Sequence, residues 1–252
     1  MFPLATTDRS CGPSRRVRVP DELDPVARYG LASGLAVRPR TILVEGTTDA
    51  DLFQLAARLE GEASGLDLLG ADLAIAAAGM GDAGGTQGVI RELVALRALA
   101  RICLLPNGRP RYRFIGLFDN DKAGRQAVRA AHDLDRSIIE YKDVFRLWPV
   151  MPLSSNLDPG ALQRAFEKEN GGLKGLEWEL EDMLPNEFYD SFLSECPGAV
   201  FRSATADGKV HRDLTPDGKA RFHWFIRQHA IRRDLTGVVQ VLGALRVYLG
   251  LK

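Results

Sequence analysis

The chain of 252 residues is long enough for one large domain, or for a domain of ordinary size with a smaller one appended, and its 45% hydrophobic residues suffice for a core. Its 33 basic residues balance 33 acidic ones, so no global field draws in nucleic acid and any such binding must come from local patches. Three scattered cysteines (Cys11, Cys103, Cys196) without a C-x-x-C pair exclude a zinc ribbon and argue against a disulfide framework, and no long uncharged apolar run suggests secretion or membrane spanning; the expectation is a soluble, cytoplasmic protein.

In chain order, residues 1–19 read as a flexible basic tail, and Pro20 to Pro25 as a helix start with acids in the first turn. A β-branched strand over 41–45 follows, then a helix to about residue 60 with Thr47 or Thr48 as N-cap and Asp49 in its first turn. After a linker at 61–70, an apolar strand at 73–78 ends in a glycine-rich turn, 79–85, suited either to cradling a phosphate or to a plain tight connection. A helix over 86–100, a strand over 112–118, a helix over 121–133 with Ala123, Ala127, Val128 and Ala131 on its packing face, and a strand over 144–148 complete a β-α-β-α-β-α-β order. That order predicts an α/β fold, a Rossmann-like, mostly parallel four-stranded sheet covered by helices.

Beyond residue 152 the pattern is α-rich. Helices are expected over 159–170, 176–184, from Pro185 through Leu193, over 216–229 and over 234–249, with a hairpin at 200–214 turning on Asp207 and Gly208. The division is therefore a tail at 1–19, an α/β domain at 20–150 and an α-rich C-terminal module at 151–252. Charge is segregated: Arg101, Arg109, Arg111 and Arg113 form one basic cluster and Arg221, Arg227, Arg232 and Arg233 another, each readable as a solvated face or a nucleic-acid patch.

Two strands end abruptly in carboxylates. Asp119 and Asp121, two positions apart, point to one side of an extended backbone, and a neighbouring strand carrying Glu45 would bring a third carboxylate to them. A cluster of carboxylates without a cation repels itself, so the pattern outlines a Mg²⁺ site with no histidine or cysteine near it.

The segments Val44-Glu45-Gly46-Thr47-Thr48-Asp49 and Phe118-Asp119-Asn120-Asp121-Lys122-Ala123-Gly124 resemble the E-G-x-x-D and D-x-D signatures of the Toprim domain, shared by primases, topoisomerases, recombination mediators and the overcoming-lysogenization-defect (OLD) nucleases. Their separation of 74 residues is closer to the OLD branch. Leu180-Glu181-Asp182-Met183-Leu184-Pro185 and Gly218-Lys219-Ala220 are similar to the acid- and lysine-bearing segments that follow in that branch. The resemblance implies a Toprim catalytic domain and a metal-dependent endonuclease that nicks or cleaves DNA, in preference to RNA, with two Mg²⁺ or Mn²⁺ ions. Asp119 and Asp121 would hold one ion, with Glu45 either on the same ion or serving as general acid or base. Asp49 with Glu181 or Asp182 would hold the second, and Lys219 would sit near the scissile phosphate.

OLD proteins carry an ATPase, yet no G-x-x-x-x-G-K-[ST] motif occurs in this sequence, so a separate ATPase subunit is the implied partner, with phage defence as the implied setting and an oligomer allowed. Neither the zinc module of a primase or mediator nor a supported topoisomerase tyrosine is present; Tyr112, Tyr141, Tyr189 and Tyr248 read as packing residues. A non-catalytic nucleic-acid-binding or partner-docking module, or an RNA-processing nuclease, are the alternatives.

Overall fold

A computed structural model describes residues 24–79 and 84–251. The expected tail at 1–19, the helix start at Pro20 and the middle of the glycine-rich turn lie outside the described residues.

Asp24 opens α1 (Pro25–Ser33) by accepting the Ala27 N–H at 2.9 Å. Four strands follow: β1 (Arg40–Val44), β2 (Leu73–Ala77), β3 (Arg113–Phe118) and β4 (Val144–Arg146). They pair in parallel in the order β2-β1-β3-β4. The chain moves to one side from β1 to β2 and then returns to the other side of β1 for β3. The seam between β1 and β3 is therefore a topological switch point, and the crevice beyond the strand ends is where such sheets place ligands.

The period-2 pattern assigns the strands' side chains to two cores. Ile42, Val44, Ile75, Ile115, Leu117 and Phe145 enter one apolar cluster, while Leu43, Ala76, Phe114, Phe118 and Val144 enter the other. The second face is covered by α1, α3 (Gly85–Ala100) and α4 (Lys122–Leu134). Three of the four expected small residues of α4 are buried there, but Ala123 is exposed. The first face carries α2 (Thr47–Ser64) and, against it, α8 (Thr236–Tyr248), whose Val238, Leu242 and Leu245 are fully buried. This first cluster also takes in Phe166, Trp178 and Phe222, so a single apolar core spans residue 150.

The C-terminal part contains α5 (Pro159–Glu169), α6 (Asn186–Glu195), the hairpin β5 (Val200–Ala206) and β6 (Lys209–Leu214), and α7 (Pro216–His229). The hairpin turns at Asp207 and Gly208, both at positive φ, as its two-residue loop requires. The expected helix at 176–184 is absent: only Leu180–Met183 turns, as a 3₁₀ segment. Leu176, Leu180 and Leu184 fit a helical spacing, but Trp178 is equally buried, and burial at 176, 178 and 180 with intermediate exposure at Glu177 and Glu179 is the pattern of an extended chain. The arginine clusters also dissolve into ion pairs: Arg111 meets Asp24, Arg221 Asp217, Arg227 Asp51 and Arg232 Glu60. Among the described residues, no helix is long and apolar enough to cross a membrane.

Gly124, at the start of α4, permits the closest backbone approach beside the switch point. A Cβ there would meet the Asp119 carbonyl oxygen at 1.9 Å. Gly124→Ala is expected to cost about 2–4 kcal/mol, read as a lowered melting temperature, whereas Ala123→Ser on the exposed neighbour leaves it unchanged.

Candidate active site

Glu45 directly follows β1 and Asp119 directly follows β3, so pairing of these two strands brings the two carboxylates to the same end of the sheet. The Asp119 N–H donates to Glu45 Oε1 at 3.3 Å, which ties the two strand ends together. Gly46, not Thr47 or Thr48, is the N-cap of α2, and Asp49 closes the turn by accepting the Gly46 N–H at 3.0 Å. This bond holds Asp49 beside Glu45. Asp121 is the N-cap of α4: one of its oxygens accepts the Gly124 N–H at 2.6 Å. Between the two aspartates, Asn120 is buried, its N–H donating to the Trp178 carbonyl at 2.8 Å and its side-chain oxygen accepting from Arg146 at 2.8 Å.

The bond to Trp178 docks the extended 176–180 segment onto the D-N-D turn, and the acids of that segment follow. Glu181 is 2% exposed and lies in the 3₁₀ turn. Opposite it stands α7, begun by Thr215, whose hydroxyl accepts the Gly218 N–H. Lys219 and His223 lie four residues apart on one face of this helix. Lys219 Nζ is 2.9 Å from Glu179 and 3.4 Å from Glu181, and His223 Nε2 is 2.8 Å from Glu181. Glu179 and His223 were not among the expected site residues, and His223 corrects the expectation that no histidine lies near the carboxylates. The i, i+4 spacing from Lys219 is the signal that could have found it.

Asp182, expected as an alternative ligand, is placed elsewhere. One oxygen accepts the Glu179 N–H at 2.9 Å and lies 2.6 Å from His211 Nδ1; the other accepts the Arg212 N–H at 3.3 Å. Both oxygens of Asp182 are thus committed to the turn and to β6. The adjacent residue Glu181 takes the position facing Lys219.

Glu45, Asp49, Asp119 and Lys219 line one cleft of about 410 Å³, with Gly79 and Gly85 from the glycine-rich turn on its rim. Burial, then the charges of Asp49 and Asp121, raise Glu45 to about 7. Asp49 rises to about 6 through burial and the nearby Glu181, and Asp119 rises well above the usual range through burial and the charges of Asp49, Glu181, Glu179 and Glu45. Glu181 goes the other way: burial opposes its charge, but His223 and Lys219 outweigh burial and keep it ionised. Burial likewise opposes the Lys219 ammonium, yet Glu181, Glu179 and Asp119 hold it protonated far above neutrality.

The donor set fits a hard divalent cation. Of the two buried Glu181 oxygens, Oε1 is contacted by His223 and Lys219, while Oε2 has no hydrogen-bond partner, an uncommon state for a carboxylate oxygen. Three further carboxylates line or adjoin the cleft, and oxygen-rich, carboxylate-dominated sites suit Mg²⁺ or Mn²⁺. Among the described residues one group of three such side chains brings its ligand atoms within 4.8 Å of one another, and it lies outside this cleft: Glu177, His211 and Asp213. There, however, the Arg202 guanidinium already contacts Asp213 at 2.5 Å and Glu177 at 3.1 Å, so a cation charge is built into the chain. Compared with protein-family profiles, curated proteins and solved structures, the chain matches none.

Proposed function

We propose that this chain is a metal-dependent nuclease of the Toprim type, closest to the OLD branch, hydrolysing phosphodiester bonds in DNA. One juxtaposition supports the reading: Glu45, Asp49 and Asp119 line one cleft with Lys219, which in turn contacts Glu181 at 3.4 Å, at the switch point of a parallel sheet. Two ions would be held by Glu45, Asp119 and the free oxygen of Asp121 on one side, and by Asp49 and Glu181 on the other. A bound divalent ion supplies a nucleophilic water and neutralises charge on the phosphoryl oxygens.

The chain's own groups have separable tasks. Lys219, pinned between Glu179 and Glu181, presents a fixed positive charge to a phosphoryl oxygen in the cleft. Glu45, raised to about 7 by burial and by its acidic neighbours while no ion is bound, is suited to act as general acid or base where it does not itself hold the ion. His223 keeps Glu181 ionised and in place. Without a P-loop motif in this sequence, energy-coupled action in phage defence would need a separate ATPase subunit.

The test is nicking of supercoiled plasmid with Mg²⁺ or Mn²⁺ by the wild type, Glu45→Ala and Asp119→Ala. The wild type is expected to cleave and both variants to be inactive; full activity in both would rule out this site.

A further inference from the structure

On the far side of the D-N-D turn lies a second cavity, also of about 410 Å³. Asn120 lines it while the adjoining Asp119 lines the carboxylate cleft, so consecutive residues contribute to the two spaces. Its walls come from both parts of the chain: Arg125 of α4, Arg146 and Trp148 at the end of β4, Lys174 just beyond α5 and Arg202 of β5. Residues so scattered form no cluster in the sequence.

Acids hold the guanidinium groups in place rather than use them up. Glu177 joins Arg125 at 3.2 Å and Arg202 at 3.1 Å, Glu140 joins Arg146 at 2.7 Å, and Asp213 joins Arg202 and His211. Arg125 and Arg146 each make one further bond, to Asn120. Since a guanidinium has about five N–H donors, each of the three retains several for a ligand. Lys174 is exposed, with no acid partner among the described residues. The Arg146 guanidinium lies over the Trp148 ring, 5.3 Å from its centre, so guanidinium and indole form one stacked pair in the wall.

Fixed guanidiniums, an unopposed lysine and an indole in a concavity meet the chemistry of an unstacked nucleotide, whose phosphate takes the cations and whose base stacks on the guanidinium–indole pair. A base inside a duplex is stacked on both sides and cannot present its face in this way. We propose that this cavity binds a nucleotide unit, phosphate and base, of a single-stranded segment adjoining the phosphodiester held in the carboxylate cleft. The proposal rests on the nuclease reading for what happens next door, but its binding test does not.

The full chain is titrated with a short fluorescein-labelled oligothymidylate in EDTA, followed by fluorescence anisotropy, and cleavage is assayed separately with Mg²⁺ or Mn²⁺. Lys174→Glu, a change on the surface, is expected to weaken binding on the order of ten-fold and to lower the salt slope by about one. Trp148→Leu is expected to weaken it on the order of ten-fold with the salt slope unchanged. Wild-type binding by Lys174→Glu overturns the subsite, and if the wild type still cleaves, the nuclease reading survives it. Loss of binding in Lys174→Glu with no cleavage by the wild type supports the subsite and overturns the nuclease reading. Thymidine monophosphate competing as well as the oligonucleotide overturns the assignment to a strand in favour of a free nucleotide.

Discussion

Asp119→Asn is expected to abolish metal-dependent cleavage, a loss on the order of 10³-fold or more, and at the same time to stabilise the metal-free protein. The two effects share one cause. Asp119 sits among Asp49, Glu181, Glu179 and Glu45, and its charge is opposed by burial and by all four. A bound cation reverses that balance, so the carboxylate needed for the ion is a liability without it.

The pH dependence follows from the same groups. Glu45 has a folded value of about 7 against its usual 4.5, so the folded state binds a proton more readily than the unfolded chain. Its contribution to stability is complete below 4.5 and disappears as pH rises through 7; at full burial it would amount to about 3 kcal/mol, less with solvent screening. Asp49 and Asp119 are shifted in the same direction. In EDTA the wild type should therefore melt lower at pH 8 than at pH 5.5, by several degrees, and Mg²⁺ should restore the loss at pH 8. Asp119→Asn should melt higher than the wild type at pH 8 in EDTA and respond less to Mg²⁺. Differential scanning fluorimetry at the two pH values, with and without Mg²⁺, checks both; a wild type indifferent to pH and to Mg²⁺ would show that the carboxylates do not form one cation site.

The strand ends were legible because their chemistry is local. Four residues of β-branched and apolar sequence, Thr41 to Val44, followed by Glu45-Gly46, and a second run followed by Asp119, specify both the strand and the carboxylate at its tip. What was not legible depends on register between distant segments. The 176–184 stretch satisfies two periods at once, since leucines four apart are also an even number apart, and only burial of Trp178 separates them. Reading it as a helix hid Glu179, which an extended chain presents alongside Glu177 on one side, to Lys219 and Arg125 respectively. Asp182 was similarly ambiguous with Glu181, because adjacent acids look alike until His211, 29 residues further on, captures one of them. The second cavity left no sequence signal, for its cations are contributed singly by four segments.

Lys219→Met tests whether the lysine acts on the substrate or merely neutralises its neighbours. Its side chain is 37% exposed, so the ion pairs to Glu179 and Glu181 are partly screened and their loss should cost about 1–3 kcal/mol rather than the full amount for a buried pair. Most of that cost comes from Glu181, which at 2% exposure keeps only the His223 imidazole as a nearby partner. Activity should fall by about 10²–10³-fold, the range for removing one preorganised charge-stabilising group. Adding Glu179→Gln to Lys219→Met removes one of the stranded carboxylates and should return part of the lost melting temperature, since two groups in contact are not additive. Cleavage should not return with it, because no side chain has replaced the cation in the cleft. Recovery of both stability and cleavage in the double variant would make Lys219 a structural counter-ion alone and leave the phosphoryl oxygens to the metal. Retention of cleavage by Lys219→Arg with little loss of stability would agree with the charge, rather than the shape of the ammonium, being what the cleft requires.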